Sequence, residues 1–214
     1  MKRWKVPAVG VIREESGNDP FYVLISCLLS LRTKDEVTER ASRRLFALVE
    51  GHFGKRSFSK VSPQTLLSLP IKTIEKAIFP VGFYHTKART LHHVCRELIR
   101  RFHGKVPDTL EDLLSLKGVG RKTANLVVTL AFKKPGICVD THVHRISNRL
   151  GYVKTKTPDQ TEAALRKILP RRYWIEFNDL LVPFGQNLCR PISPFCSRCP
   201  IERYCPKVGV TTHR

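Results

Sequence analysis

The chain has 214 residues, of which 38 are Lys or Arg and 18 are Asp or Glu, a formal charge of +20. That length buries a substantial core, and the composition is that of a soluble globular protein, which excludes a collagen-like or disordered chain. No run is long enough to cross a membrane, and the basic start from Met1 to Gly10 lacks the apolar stretch of a secretion signal. The charge excess has a bland reading, solubility and mutual repulsion of monomers. At this size it points instead to a polyanion, with nucleic acid the obvious partner and binding that weakens steeply with salt.

Strand signals are scarce and helical ones abundant. Asp19 and Pro20 form a helix start, and Phe21, Leu24, Ile25, Leu28 and Leu29 make that helix largely buried. Leu91, Val94, Cys95, Leu98 and Phe102 draw a second apolar stripe. Asp108 is placed to cap a further helix, with Glu111 reaching back as the other half of a capping box. Leu110, Leu113, Leu114 and Leu116 supply its apolar side.

The segment Leu116–Lys117–Gly118–Val119–Gly120–Arg121–Lys122–Thr123–Ala124–Asn125 then reads as a tight glycine turn between two helices. Gly118 and Gly120 suit a turn that needs positive φ and close backbone approach. Ala124, Val127, Val128 and Ala131 recur at i, i+3, i+4, i+7 and predict the second helix. Its first-turn N–H groups form an anion site, and Lys122 stands in that turn. Downstream, in Val139–Asp140–Thr141–His142–Val143–His144–Arg145, Asp140 reads as an N-cap, with Val143, Ile146 and Leu150 on one face. Ala164, Leu165 and Ile168 mark another helix. Trp174, Phe177, Leu180 and Leu181 mark the last, which Pro183 is expected to end or kink. The chain reads as all-α.

Cys189, Cys196, Cys199 and Cys205 have the spacing C-x6-C-x2-C-x5-C. With no secretion signal the thiols are expected to stay reduced and bind metal, and four thiolates suit either tetrahedral zinc or an iron–sulfur cluster. Cys27, Cys95 and Cys138 read as small buried hydrophobes.

The segments LKGVGRKTAN and VDTH and the cysteine spacing closely resemble the endonuclease III family of DNA glycosylases, and the resemblance runs from about Asp19 to Cys205. It implies an all-α helix-hairpin-helix glycosylase fold. A six-helix barrel domain would span 16–134, with the hairpin at about 108–132. A discontinuous cluster domain would combine 1–15 with 135–214, and the cleft between the domains would set Lys122 against Asp140. It also selects a 4Fe–4S cluster on Cys189, Cys196, Cys199 and Cys205, with a structural role beside basic residues that meet phosphates.

In such enzymes Lys122 would attack the sugar C1′ as a neutral amine and form a Schiff base, after which β-elimination cuts the strand. Asp140 would stabilise the developing positive charge and assist proton transfers. The target base must leave the duplex. The segment Leu29–Asp35 matches the family loop that fills the resulting hole, with Arg32 where glutamine is common and Asp35 as a positioning acid. Val81–Ala88 matches the second loop, with Phe83 as the wedge and Lys87 beside it as a further DNA contact. His142 would line the base pocket. Lys117, Gly118, Val119, Gly120 and Arg121 would contact DNA; Lys117 stands where proline is frequent before the first hairpin glycine.

The leading expectation is a bifunctional glycosylase and AP lyase acting on oxidised pyrimidines in double-stranded DNA, monomeric, and cytoplasmic if prokaryotic. A monofunctional mismatch glycosylase is the nearer alternative, and Lys122 argues against it. A noncatalytic helix-hairpin-helix module with a structural metal site is the other.

Overall fold

The computed structural model describes residues 6–52 and 61–214, and every regular element among them is helical. The described chain divides into two compact units, Val6–Lys134 and Pro135–Arg214.

The first unit is built around α2 (Pro20–Ser30). Asp19 accepts a hydrogen bond from the Phe21 N–H at 2.9 Å, and Pro20 occupies the first turn, where its missing N–H costs nothing. Residues Val23 to Leu29 are all buried, because α1 (Ala8–Glu15), α3 (Asp35–His52), α6 (Tyr84–Phe102) and α8 (Arg121–Leu130) pack around this helix. Two short helices, α4 (Pro63–Leu67) and α5 (Ile71–Ile78), pack on α6, and α7 (Leu110–Leu114) packs on α8. Leu24, Leu45, Leu66, Ile74, Leu91 and Val127 meet in one core. Each such side chain contributes roughly 1.5–3 kcal/mol of burial.

Two expectations change here. Residues 8–15 do not go with the C-terminal residues: Val9 and Ile12 are buried in the first unit's core, and α1 packs on α2 and α3. Asp108 does not cap α7 either. Thr109 does, its Oγ1 accepting from the Asp112 N–H at 3.2 Å, while Asp108 pairs with Lys134 at 2.6 Å. A threonine one residue later offers the same capping oxygen.

In the second unit α9 (Thr141–Arg149) packs on α10 (Pro158–Ile168) and α11 (Trp174–Asn187). Ile137, Val139, Val143, Val153, Leu165 and Leu169 form its core, with Trp174, Phe177 and Leu181 packed against it. Helix α11 runs through Pro183 rather than ending there. It stays packed on α9 despite the local cost of the ring, about 3 kcal/mol. Leu180, expected on the apolar stripe, is 64 % exposed. After α11 the chain is irregular, with 3-10 turns at Cys196–Arg198 and Glu202–Tyr204.

Candidate functional site

The glycine turn joins α7 to α8. Gly118 has φ +98°, and a Cβ there would lie 2.5 Å from Thr90 Cγ2, so both conformation and space demand glycine. Gly120 departs from expectation. It is extended (φ −87°, ψ 171°), with open space around it, and serves as the N-cap of α8 without a capping side chain. Leu116 and Val119 are buried in the core, which anchors the turn. The Val119 side chain therefore faces inward. Lys117, Gly118, Gly120, Arg121 and Lys122 are exposed, with Lys122 in the first turn of α8, at the positive end of its dipole.

A shallow depression beside the turn holds about 850 Å³ of atom-free space and is lined by Leu31, Arg32, Phe83, Lys87, Thr90 and Gly118, among others. Arg32 and Phe83 are both exposed, and both have left-handed backbones, φ 52° and 59°. The Arg32 guanidinium lies 5.8 Å from the Phe83 ring centroid. Asp35, the first residue of α3, places its carboxylate at that helix's positive end.

Lys87 departs from its expected role as a DNA contact. It is only 8 % exposed, and its ammonium donates to the carbonyls of Leu29 (2.7 Å) and Leu31 (2.5 Å) and to Thr33 Oγ1 (3.1 Å). Burial pulls its pKa down to about 8. With its three donors directed at internal acceptors, it has none to spend on a phosphate.

In the second unit Asp140 caps α9, and its Oδ1 accepts from the His142 and Val143 N–H groups, both at 2.8 Å. Two amides on one oxygen fix the carboxylate. One turn on, Arg145 reaches His142 Nδ1 at 3.1 Å and donates to the Cys189 carbonyl at 2.8 Å. Its pKa is lowered by burial and then by the nearby charge of Arg149. Arg149 is 9 % exposed and donates to the Arg190 and Pro191 carbonyls and to Cys189 Sγ, the last at 3.4 Å. Gly185 of α11 admits this arrangement: a Cβ there would lie 2.5 Å from His142 Nδ1. Reading the sequence missed Arg145, Arg149 and Gly185. The i, i+3, i+7 recurrence of His142, Arg145 and Arg149 was a visible signal, but a polar stripe reads as solvated until something is packed on it.

Cys189, Cys196, Cys199 and Cys205 all line one cavity, sheathed by apolar side chains such as Ile146, Phe184, Leu188 and Ile201. Burial raises the Cys196 and Cys199 thiols above their ordinary pKa, and the neighbouring cysteines push the same way. A bound cation would reverse that, since a coordinating thiol is deprotonated. Among the described residues no set of three or more His, Cys, Asp or Glu side chains stands positioned to hold a metal ion. Cys27, Cys95 and Cys138 are buried, and burial pushes the Cys95 thiol up to about 12.

Residues 25–171 match the model of the HhH-GPD superfamily base excision DNA repair proteins. The chain belongs to that family. It is 47% identical over 193 residues to Endonuclease III of Thermotoga maritima, covering 90% of this chain and 85% of that protein. Its fold matches a non-covalent Endonuclease III–DNA complex with TM-score 0.78 and 35% identity, over 88% of this chain and 84% of that one. It matches a trapped Endonuclease III–DNA covalent intermediate with TM-score 0.78 and 32% identity, over 94% and 93%. The all-α helix-hairpin-helix architecture is thereby shown. Among the described residues no helix is long and apolar enough to cross a membrane.

Proposed function

We propose that this protein is a base-excision-repair glycosylase and AP lyase that removes oxidised pyrimidines from double-stranded DNA, with Lys122 as nucleophile and Asp140 as its carboxylate partner. One observation carries the reading: an exposed lysine opens the helix after a glycine turn, in a chain nearly half identical to an Endonuclease III over most of its length. The match to a trapped covalent protein–DNA intermediate supports a mechanism that passes through a covalent bond.

The chemistry follows from the groups. The Lys122 amine adds to C1′ of the extruded nucleotide, and the bond from C1′ to the base breaks, the base leaving with a proton. The C1′–O4′ bond of the resulting aminal then opens, O4′ taking a proton, and the iminium so formed acidifies the 2′ position; loss of that proton expels the 3′ phosphate. Water then hydrolyses the Schiff base and returns the lysine. Asp140, fixed by two backbone amides, stabilises positive charge developing on the sugar and assists the proton transfers. Lys117, Gly118, Gly120 and Arg121 meet backbone phosphates at the α8 N-terminus, together with the Val119 main chain. Arg32 fills the vacated stack, Phe83 wedges it, Asp35 positions the loop, and His142 lines the base pocket.

The cysteine cavity fits a 4Fe–4S cluster held by Cys189, Cys196, Cys199 and Cys205. A cluster spreads its ligands over several irons and sits among apolar side chains, which agrees with four thiols lining one apolar cavity. The Arg149 guanidinium beside Cys189 Sγ supplies the positive charge that a thiolate-ligated centre requires. When bound, such a cluster supplies cross-linking of the irregular C-terminal segment. Residues 6–134 then form the hairpin domain and 135–214 the cluster domain.

Borohydride trapping on a duplex with one abasic site tests the catalytic assignment. A covalent adduct is expected from wild type and none from Lys122→Ala. An absent adduct from folded, DNA-binding wild type refutes the lyase reading.

A further inference from the structure

Lys87 has no part in the chemistry above, yet it is a lysine brought inside the fold at the junction of two DNA-probing loops. Its three acceptors all belong to one turn, the end of α2 and the bend carrying Arg32. Its own backbone N–H bonds to the Phe83 carbonyl at 2.9 Å, so it stands one helical turn past Phe83. One side chain therefore ties together loops more than fifty residues apart in sequence.

The rest of the junction is equally close. Thr33 Oγ1 accepts from the Gly82 N–H at 3.2 Å as well as from Lys87. A Cβ on Gly82 would lie 2.7 Å from the Arg32 carbonyl oxygen, which is backbone against backbone. Arg32 and Phe83 both hold left-handed conformations that side-chain-bearing residues adopt at a cost and keep only where the surroundings over-determine them. A cation at the C-terminal end of α2 also answers carbonyls that the helix leaves without intrahelical partners.

We infer that Lys87 is a positioning residue that holds the Arg32 turn and the Phe83 loop as one rigid element, presenting filler and wedge to the duplex in a fixed mutual register. The inference rests on the reading of this protein as a base-extruding glycosylase. Without the clamp, each loop relaxes from its left-handed conformation, and the two residues no longer enter the stack together. Extrusion then suffers, whereas attack on an already accessible abasic sugar does not.

The test compares wild type, Lys87→Met, Lys87→Arg and Thr33→Val, each checked for its thermal midpoint. Three quantities are read: single-turnover release of an oxidised pyrimidine from duplex DNA, borohydride trapping on a single-stranded abasic oligonucleotide, and fluorescence of 2-aminopurine placed opposite the lesion. Loss of hydrogen bonds to a charged group predicts that Lys87→Met slows duplex release about 10- to 100-fold. The 2-aminopurine rise should shrink with it, and single-stranded trapping should hold. Lys87→Arg restores part of the loss, and Thr33→Val shows a smaller loss of the same kind.

Duplex release and fluorescence at wild-type levels in folded Lys87→Met would overturn the clamp. So would an equal loss on duplex and single strand. If Lys87→Met does not fold, Thr33→Val decides, and its unchanged duplex release counts against the proposal. Absence of trapping from wild type, on this single strand and on the abasic duplex used to test the catalytic assignment, would instead refute the lyase reading, and the fluorescence comparison would still decide the clamp.

Discussion

Replacing Gly185 by alanine sets two effects of known size against each other. In a helix interior the change gains about 1 kcal/mol, because alanine loses less backbone freedom than glycine on folding. Against that, the new methyl would lie 2.5 Å from His142 Nδ1, 2.9 Å from His142 Cβ and 3.0 Å from Arg145 Nη2. Rotating the imidazole relieves the first contact but not the second, since Cβ moves only with the backbone. Rotation would also break the 3.1 Å contact between Arg145 and His142. Overpacking of this kind costs about 1–3 kcal/mol, so the net expectation is a destabilisation of about 1 kcal/mol, or about 2–4 °C in melting temperature for a chain of this size. Thermal unfolding of the two proteins measures it, and base release measured alongside should fall because His142 is displaced. A variant more stable than wild type by the helix-propensity amount, with normal base release, would refute the close packing of α11 on α9.

Three further outcomes follow from the site. Asp140→Asn should keep its cap and melt within about 1 kcal/mol of wild type while losing catalysis, whereas Asp140→Ala should lose the cap as well, about 0.5–2 kcal/mol; paired melting and trapping experiments separate the two. Phe83→Gly should melt no lower than wild type, because the residue is 64 % exposed with φ 59°, yet should extrude the target base poorly, which 2-aminopurine fluorescence reports. Cys95, with its pKa pushed to about 12 from an ordinary 9.0, should resist iodoacetamide at pH 9 in the folded protein, as mass spectrometry of the digest would show. Between pH 9 and about 12 the unfolded chain gives up this proton first, so the group's contribution to stability falls as pH rises through that window.

Much of the fold and site was legible because it is written in short stretches. A cap needs an acceptor within three residues of its amides, so Asp19 and Asp140 announce their helices without help from elsewhere. The glycine turn, the lysine that follows it and the spacing of the four cysteines are equally local. Where two short-range solutions competed, the reading went astray: Thr109 took the cap assigned to Asp108, and Gly120 needed no positive φ.

Burial and partnership were decided only by tertiary structure, because they depend on what arrives from far along the chain. Lys87 looks like any cation on a basic helix until carbonyls 56 and 58 residues away close around it. Arg145 and Arg149 lie on a stripe that reads as solvated until Cys189 and its neighbours pack there. Helix α11 continues past Pro183, packed on α9, despite the local penalty of the ring. Several helices and their caps, the hairpin and the thiol set were legible in the sequence, because all are governed by contacts within a turn or two. Which charged side chains face water and which brace the site from within was settled by the fold, since the cost of burying a charge is met by partners that only folding brings near.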